Sequence, residues 1–262
     1  MVVMPRSLRR AVAQGVSLPP TIMQLRPRVE AEMKVPEFSS RIRILPWIGD
    51  KYSQGGPHWK GGPTRKRLLI LGESHYAGST EGLLADQKNR CLTRDVIKRQ
   101  WTGKSYSYHT KVAGAVSSLE PHEVDKQAFW STVSFYSFVQ DVVGIGPRVR
   151  PSDEQWTRGL NLLPEVIDAL QPHYVLATGW TLWTHLPDWK PDRKLPFRAK
   201  KAEPFDTCVH QTPTGHAFRA AYIKHPSAPG FGSGVSWHPF VRMFLALPLP
   251  DAAQARRKKV GA

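Results

Sequence analysis

Two short segments, far apart in the chain, carry residue types that can act together on one substrate. The first, Leu71-Gly-Glu-Ser-His-Tyr76, places a carboxylate, a hydroxyl and an imidazole directly after an apolar run. The second, His225-Pro-Ser-Ala-Pro-Gly-Phe231, places a histidine before a rigid Pro-Ser step and a glycine-containing loop. Carboxylates and imidazoles are the usual groups that position water or donate to a leaving group. The two segments therefore look like the two halves of a single site.

The charge balance of the chain predicts a polyanionic partner. The 262 residues include 37 Lys and Arg against 21 Asp and Glu, which gives a formal net charge of +16. Each basic side chain that neutralises a phosphate releases condensed counterions, so such an excess favours nucleic acid. A solvated basic surface without a partner is the alternative interpretation.

The cysteine and histidine patterns argue against several other classes of protein. Cys91 and Cys208 are the only cysteines, which excludes a four-thiolate zinc site or an iron–sulfur cluster and favours a reducing cytoplasm. The ten histidines show no HxH or HExxH spacing. No apolar run reaches the roughly 18 residues that a membrane span requires. We therefore expect neither a metal site nor a membrane partner.

Alternating apolar runs and amphipathic stretches predict the elements that must position these side chains. Ser152 and Gln155 form a capping-box pattern at the start of one helix, which Pro172 ends. We predict strands at 67–71, 129–135, 174–179 and 220–224, and helices within 85–120, from 152 to 171 and within 237–247; residues 46–63 read as an ordered loop and 186–206 as a connection.

This order predicts an α/β fold, with a mainly parallel sheet of four strands sandwiched between two layers of helices. Ligands of such sheets bind outside the carboxyl ends of the strands, where Glu73, Ser74 and His225 would converge. We divide the chain into a basic N-terminal extension (1–45), a catalytic domain (46–250) and a basic disordered tail (251–262).

Over residues 67 to about 245, the chain resembles the uracil-DNA glycosylase superfamily. The resemblance rests on Gly72-Glu-Ser-His-Tyr76, the segment 129–135, the capped helix leading into Tyr174–Gly179, and His225-Pro-Ser227, in the order and spacing of that family. It implies a three-layer α/β/α fold and a monofunctional DNA glycosylase, which hydrolyses the N-glycosidic bond of a flipped-out base without metal or cofactor. It further implies a DNA-bound enzyme of repair or antiviral defence, at the nucleoid of a prokaryotic cytoplasm.

The resemblance assigns roles to residues of both segments. Family members carry Gly-Gln-Asp-Pro-Tyr or Gly-Glu-Ala-Pro-Gly at the first motif, so Glu73 would position the water and His225 would stabilise the departing base. The positions carried over to the substrate are Gly72 as the tight turn, Ser74 and His75 beside it, and Tyr76 as the wall near C5 of the base. The positions carried over to DNA are Pro226 and Ser227 at the phosphate, Pro229 as the wedge and Phe231 beside it.

One departure from the family pattern bears on which base is removed. The family reads uracil with an asparagine at the end of the second strand, where this chain has Ser131 or Thr132, depending on register. A hydroxyl group distinguishes one base from another less well than an amide group does. Our hypothesis is therefore a pyrimidine with a bulky C5 substituent, such as a hypermodified viral cytosine, rather than plain uracil.

Two other functions fit the same residues. In a serine hydrolase, Ser74 would be the nucleophile, His225 or His238 the base and Asp206 an acid, since Gly72-Glu-Ser74 resembles a nucleophile elbow. A non-catalytic DNA-binding protein on a glycosylase fold would also keep the basic surface. Within the basic 90–111 segment, Trp101, Tyr106 and Tyr108 are candidates for stacking on unpaired bases or for the core.

Overall fold

A computed structural model describes residues 36–55, 66–147, 149–187, 191–195 and 205–250. The nine strands are β1 (Trp47–Ile48), β2 (Leu68–Gly72), β3 (His75–Ala77), β4 (Ser134–Ser137), β5 (Val142–Ile145), β6 (Tyr174–Thr178), β7 (Pro191–Leu195), β8 (Phe205–Gln211) and β9 (Ala217–Ile223). The seven α-helices are α1 (Thr80–Lys88), α2 (Leu92–Thr102), α3 (Ser107–Ser117), α4 (Lys126–Ser131), α5 (Asp153–Leu170), α6 (Trp180–His185) and α7 (His238–Ala246). Short 3-10 helices span Tyr52–Gln54 and Gly234–Trp237. These counts refer to the described ranges.

The main sheet has seven strands in the order β1-β4-β2-β6-β9-β8-β7. Its centre, β4-β2-β6-β9, is parallel throughout, whereas β1, β8 and β7 pair antiparallel with their neighbours. The predicted α/β class is confirmed, but the predicted four-stranded, mainly parallel sheet is wrong. The segment expected to be a connection, 186–206, contains β7 and the first residues of β8.

Helices cover both faces of the sheet. Alternate residues of β2 point to opposite sides, with Leu68 and Ile70 in one buried cluster and Leu69 and Leu71 in the other. Helices α2, α3, α4 and α7 pack on the first side, and α5 and α6 on the second. A strand that is covered on both faces needs the continuous apolar run that β2 has.

Helix α5 forms as its sequence predicts. The Ser152 hydroxyl accepts the backbone N–H of Gln155, and the Gln155 side chain accepts the N–H of Ser152, which completes the capping box. The helix buries Leu162, Val166 and Leu170 on one side, against the sheet.

The second predicted strand starts later than expected. Residues 129–131 belong to α4, because the Asp125 carboxylate caps that helix by accepting the backbone N–H of Ala128. Strand β4 then begins at Ser134. This shift moves the residue that ends the strand from position 135 to Ser137.

Residues outside the predicted catalytic domain join the same fold. Ile42 is fully buried among side chains of α5, and the backbone N–H of Ile44 is bound by Gln140. Most of the predicted extension, the predicted tail 251–262 and the loop residues 56–65 lie outside the described residues.

Candidate active site

The four parallel strands end at one edge of the sheet. Gly72 of β2 is in register with Ser137 of β4, and Thr178 of β6 with Ile223 of β9. The residues that follow these ends, Glu73 and His225 among them, therefore meet at the edge where α/β sheets bind their ligands.

Glu73 is held in a fixed turn and carries an ion pair. Its backbone carbonyl accepts the N–H of Val139, at 2.9 Å, so the turn is bound to the chain that leaves β4. Its side chain is 13% exposed, and Nη1 of Arg150 contacts its two carboxylate oxygens at 3.2 and 3.4 Å. The predicted water-positioning carboxylate is thus a largely buried anion with one cationic partner.

His225 is fixed in one neutral tautomer. Its Nδ1 accepts the backbone N–H of Ser227, at 3.2 Å, so the proton of the neutral ring lies on Nε2. Burial and the nearby charge of Arg150 lower the pKa of His225 below its ordinary value. The ring therefore presents a neutral Nε2–H donor.

Gly179 makes room for that ring. Its φ is +125°, and a Cβ there would lie 3.3 Å from Cβ of His225. A side chain at this position would be strained by the backbone and crowd the imidazole.

Tyr108 of α3 connects the ends of three strands. Its hydroxyl donates to the Thr178 hydroxyl, 2.6 Å away, which in turn donates to the carbonyl of Leu71. Its ring lies 5.2 Å from that of His225. Burial, with a smaller contribution from the charge of Glu73, raises the pKa of Tyr108, so the phenol stays protonated. We call Glu73, Tyr108, Arg150 and His225 the edge site.

Gly72 leaves room for two aromatic side chains that a larger residue would displace. A Cβ at this position would lie 2.6 Å from Cζ of Phe135 and 3.2 Å from the Tyr108 hydroxyl. The predicted tight turn thus also brings the β2 backbone onto two aromatic side chains.

The other residues of the first motif point in different directions. His75 turns inward, where its Nε2 contacts the hydroxyls of Thr93 and Ser137 at 2.8 Å each, and burial lowers its pKa to about 4. Tyr76 is 55% exposed on the opposite side of β3. Ser74 is half-buried and has no hydrogen bond among the described residues. His75 therefore belongs to the wall behind the edge site, and Tyr76 faces outward.

The expected reader from the second strand lies at the wrong end of that strand. Ser131 and Thr132 close the C-terminus of α4, where their hydroxyls donate to the carbonyls of Ala128 and Phe129. Both precede β4 and so lie at its amino end, away from Glu73. The hydroxyl at the carboxyl end is that of Ser137, bound to His75.

The loop after His225 is half core and half surface. Pro226 is buried, and its carbonyl accepts Nζ of Lys111 at 3.1 Å, while Ser227 and Pro229 are exposed. Phe231 is only 2% exposed and stacks on Trp237, with ring centroids 5.6 Å apart. Phe231 therefore packs in the core of this structure, whereas the sequence predicts it beside a DNA wedge.

Glycine also allows the close approach of this loop to α3. A Cβ at Gly234 would lie 2.2 Å from the carbonyl oxygen of Lys111. The loop and the helix that carries Tyr108 are consequently in backbone contact.

The geometry disfavours the serine-hydrolase arrangement. In a Ser-His-Asp triad, Nδ1–H of the histidine donates to the acid. Here Nδ1 of His225 accepts a backbone N–H, and Oδ1 of Asp206 is buried without a hydrogen-bond partner among the described residues. His238 is buried against the carbonyl of Ala115, seven residues along α3 from Tyr108 and so about 10 Å along its axis.

The sequence does not assign two residues, Tyr108 and Arg150, to the edge site. Tyr108 stands out in the sequence only as an aromatic residue among basic ones. Arg150 is 77 positions from Glu73, and no motif connects them.

Within the described ranges, no group of three or more His, Cys, Asp or Glu side chains is placed to hold a metal ion. No helix in that part of the chain is long and apolar enough to cross a membrane. No protein-family model matches the chain, and no curated protein matches it.

Proposed function

We propose that this protein is a monofunctional DNA glycosylase, which hydrolyses the N-glycosidic bond of a base flipped out of DNA. Breaking that bond develops positive charge on the sugar and negative charge on the departing base. The site must therefore supply an acceptor for a water near C1′ and a donor for the base. Glu73 would be the acceptor and His225 the donor.

The observation that carries the proposal is the tautomer of His225. A hydrogen bond from Ser227 fixes the proton on Nε2, and burial together with Arg150 keeps the ring neutral. The Nε2–H group of a neutral ring can donate a hydrogen bond to the oxygen on which the departing base develops negative charge. Its partner across the edge site, Glu73, is the largely buried carboxylate that such a reaction needs.

The geometry supports a base with bulk at C5 over plain uracil. The resemblance implies an aromatic wall at Tyr76 near C5 of the base, but Tyr76 is 55% exposed and faces away from His75. The polar group at the end of β4 is the hydroxyl of Ser137, in place of an amide. Both features support a modified pyrimidine as the base, and for an enzyme that removes such a base we propose a role in antiviral defence or repair in the cytoplasm.

The test is incubation with DNA that contains uracil, hypoxanthine, hydroxymethylcytosine or glucosylated hydroxymethylcytosine, followed by alkaline cleavage at abasic sites. We expect cleavage of a DNA with a C5 substituent. Cleavage of the uracil substrate alone would refute the bulky-base assignment, and no cleavage of any substrate would favour a non-catalytic DNA-binding protein.

Variants separate the two enzyme mechanisms. Glu73→Gln removes the acceptor for water and should slow single-turnover excision by about 10²- to 10⁴-fold. Ser74→Ala should retain most of the excision activity. If Ser74→Ala were the inactive variant and fluorophosphonate labelled the wild type, the serine-hydrolase function would replace this one.

A further inference from the structure

Three aromatic side chains of the described structure are exposed: Tyr76, Tyr106 and Trp180. Tyr76 faces outward on β3, and Tyr106 immediately precedes α3. Trp180 adjoins the edge site, because it directly follows Gly179, where a Cβ would lie 3.3 Å from Cβ of His225. An exposed aromatic ring beside a candidate site is typical of an interaction surface.

Trp180 is the most exposed of the three, at 61%, yet it is supported from behind. Its ring centroid lies 5.4 Å from that of Tyr222 in β9, and the ring centroid of Trp183 in α6 lies 5.0 Å from that of Tyr222. We call Trp180, Trp183 and Tyr222 the aromatic platform. A ring that is held by neighbours and open on its outer side presents a flat, fixed surface.

Basic side chains accompany the aromatic platform and the edge site. Lys224 is exposed and lies in the chain between Tyr222 and His225, and the Arg150 side chain, which belongs to the edge site, is 66% exposed. Aromatic rings that alternate with basic side chains are the pattern that binds unpaired nucleotides, with bases stacked on the rings and phosphates beside the charges. Paired bases within a duplex have no free face for such stacking.

We infer that the aromatic platform stacks a base next to the reacting nucleotide, so that this protein binds single-stranded or locally unpaired DNA in preference to duplex. The inference rests on the proposed function for the identity of its partner as DNA. It adds to that function the strandedness of the substrate and a binding role for Trp180.

The test measures binding to unmodified DNA and therefore does not depend on excision. The probes are a fluorescein-labelled oligo(dT) strand and the same strand annealed to oligo(dA), each titrated with protein while anisotropy is followed. Wild type should bind the single strand more tightly than the duplex. Trp180→Ala should weaken single-strand binding by about 5- to 150-fold, the range expected for one stacked base, and duplex binding by less.

Two control variants complete the design. Trp180→Phe keeps an aromatic face and should recover much of the single-strand affinity. Leu119→Ala removes an exposed apolar side chain near the far end of α3 and should bind like wild type. Trp180 is largely exposed, so its replacement should leave the urea midpoint of unfolding close to that of the wild type.

An unchanged single-strand Kd in Trp180→Ala, or an equal loss for both probes, would overturn the inference. A change in sedimenting mass without a change in Kd would also overturn it, because the platform would then join two copies of this chain. If single-strand binding depends on Trp180 but no DNA ever yields abasic sites, the proposed excision fails and the binding inference stands.

Discussion

Arg150 links the two reactive side chains of the edge site. Its guanidinium contacts both carboxylate oxygens of Glu73 and, through its charge, lowers the pKa of His225. One exposed cation therefore contacts the proposed acceptor and favours the neutral form of the proposed donor. A neutral donor is the form that the proposed reaction needs.

Replacing Arg150 should shift the pH dependence of the reaction. In Arg150→Gln the positive charge is lost, so the pKa of His225 should rise towards its ordinary value. Because neutral His225 is the active form, activity falls as pH drops through that pKa, and the acid limb of the pH–rate profile should move to higher pH. NMR titration of the His225 ring measures the same change directly.

Arg158→Gln is the matched control, since Arg158 pairs with Asp141 rather than with Glu73. In Arg158→Gln, the His225 ring should titrate as it does in the wild type. A pKa of His225 that is unchanged or lower in Arg150→Gln would show that Arg150 does not act on this ring.

Residues that belong to compact motifs are predictable from the sequence. Glu73 and His225 come just after strands, so their meeting at one edge of the sheet was predictable. Arg150 was not, because its contact depends on how the chain between β5 and α5 returns across that edge. The inward turn of His75 depends on Thr93 and Ser137, which no local spacing relates to it.

The loop that follows β9 has some residues at the surface and others in the core. Pro229 is exposed at the turn, whereas Phe231 is buried against Trp237. An apolar residue in a glycine-containing loop looks the same in the sequence whether it faces DNA or the core. Only the packing of the 3-10 helix Gly234–Trp237 distinguishes the two.

Substitutions in the loop should separate stability from binding. Phe231→Ala removes a buried aromatic ring and should lower the free energy of unfolding by about 3–5 kcal/mol, measured by urea denaturation. Pro229→Ala should change it by no more than about 0.5 kcal/mol. Wild-type stability in Phe231→Ala would mean that the ring does not belong to the core.

The strand predicted at 129–135 shows that residue composition alone does not decide whether a segment forms a strand or a helix. Phe129-Trp-Ser-Thr-Val-Ser-Phe135 is rich in β-branched and aromatic residues, which favours a strand. The Asp125 cap nevertheless starts a helix that includes the first three of them. Packing of Phe129 and Trp130 beside α3 then outweighs their strand propensity.

Across the whole molecule, burial of neutral histidines ties stability to pH. Burial lowers the pKa of His75 to about 4 and that of His109, with help from His75, to about 3. Both ring nitrogens of His109 lack a hydrogen-bond partner among the described residues. In the unfolded chain, each histidine titrates near its ordinary pKa of about 6.5.

The folded protein should consequently lose stability in acid. Each of these histidines contributes stability that is fully present above about pH 6.5 and falls as pH drops towards the folded pKa, by up to ~1.4 kcal/mol per pH unit. In His109→Phe, the free energy of unfolding should depend less steeply on pH between about pH 7 and about pH 5. The slope should decrease by the contribution of one proton. Urea denaturation at several pH values measures the slope.

The exposed His122 provides the control, because His122→Gln removes a histidine that lies outside the core. That variant should keep the wild-type slope. Equal slopes in wild type and His109→Phe would mean that His109 is already protonated when folded.

The parallel centre of the sheet was predictable, and its antiparallel flanks were not. Buried parallel strands such as β2 and β6 are recognisable in the sequence as short continuous apolar runs. Strands β7 and β8 lie in a Pro- and Lys-rich region whose composition favours a loop, and β1 has only two residues. β7 and β8 form because each pairs with the next strand along the chain, and β1 forms because it pairs with the distant β4.

The close approach at Gly234 offers a way to recognise relatives that family models miss. Any side chain there would collide with the backbone of α3, since a Cβ would lie 2.2 Å from the Lys111 oxygen and 2.9 Å from the Ala115 nitrogen. A homologue must keep glycine at this position or rebuild the loop. Gly234, read together with Glu73 and His225, is thus a stereochemical signature that can be used to search genomes.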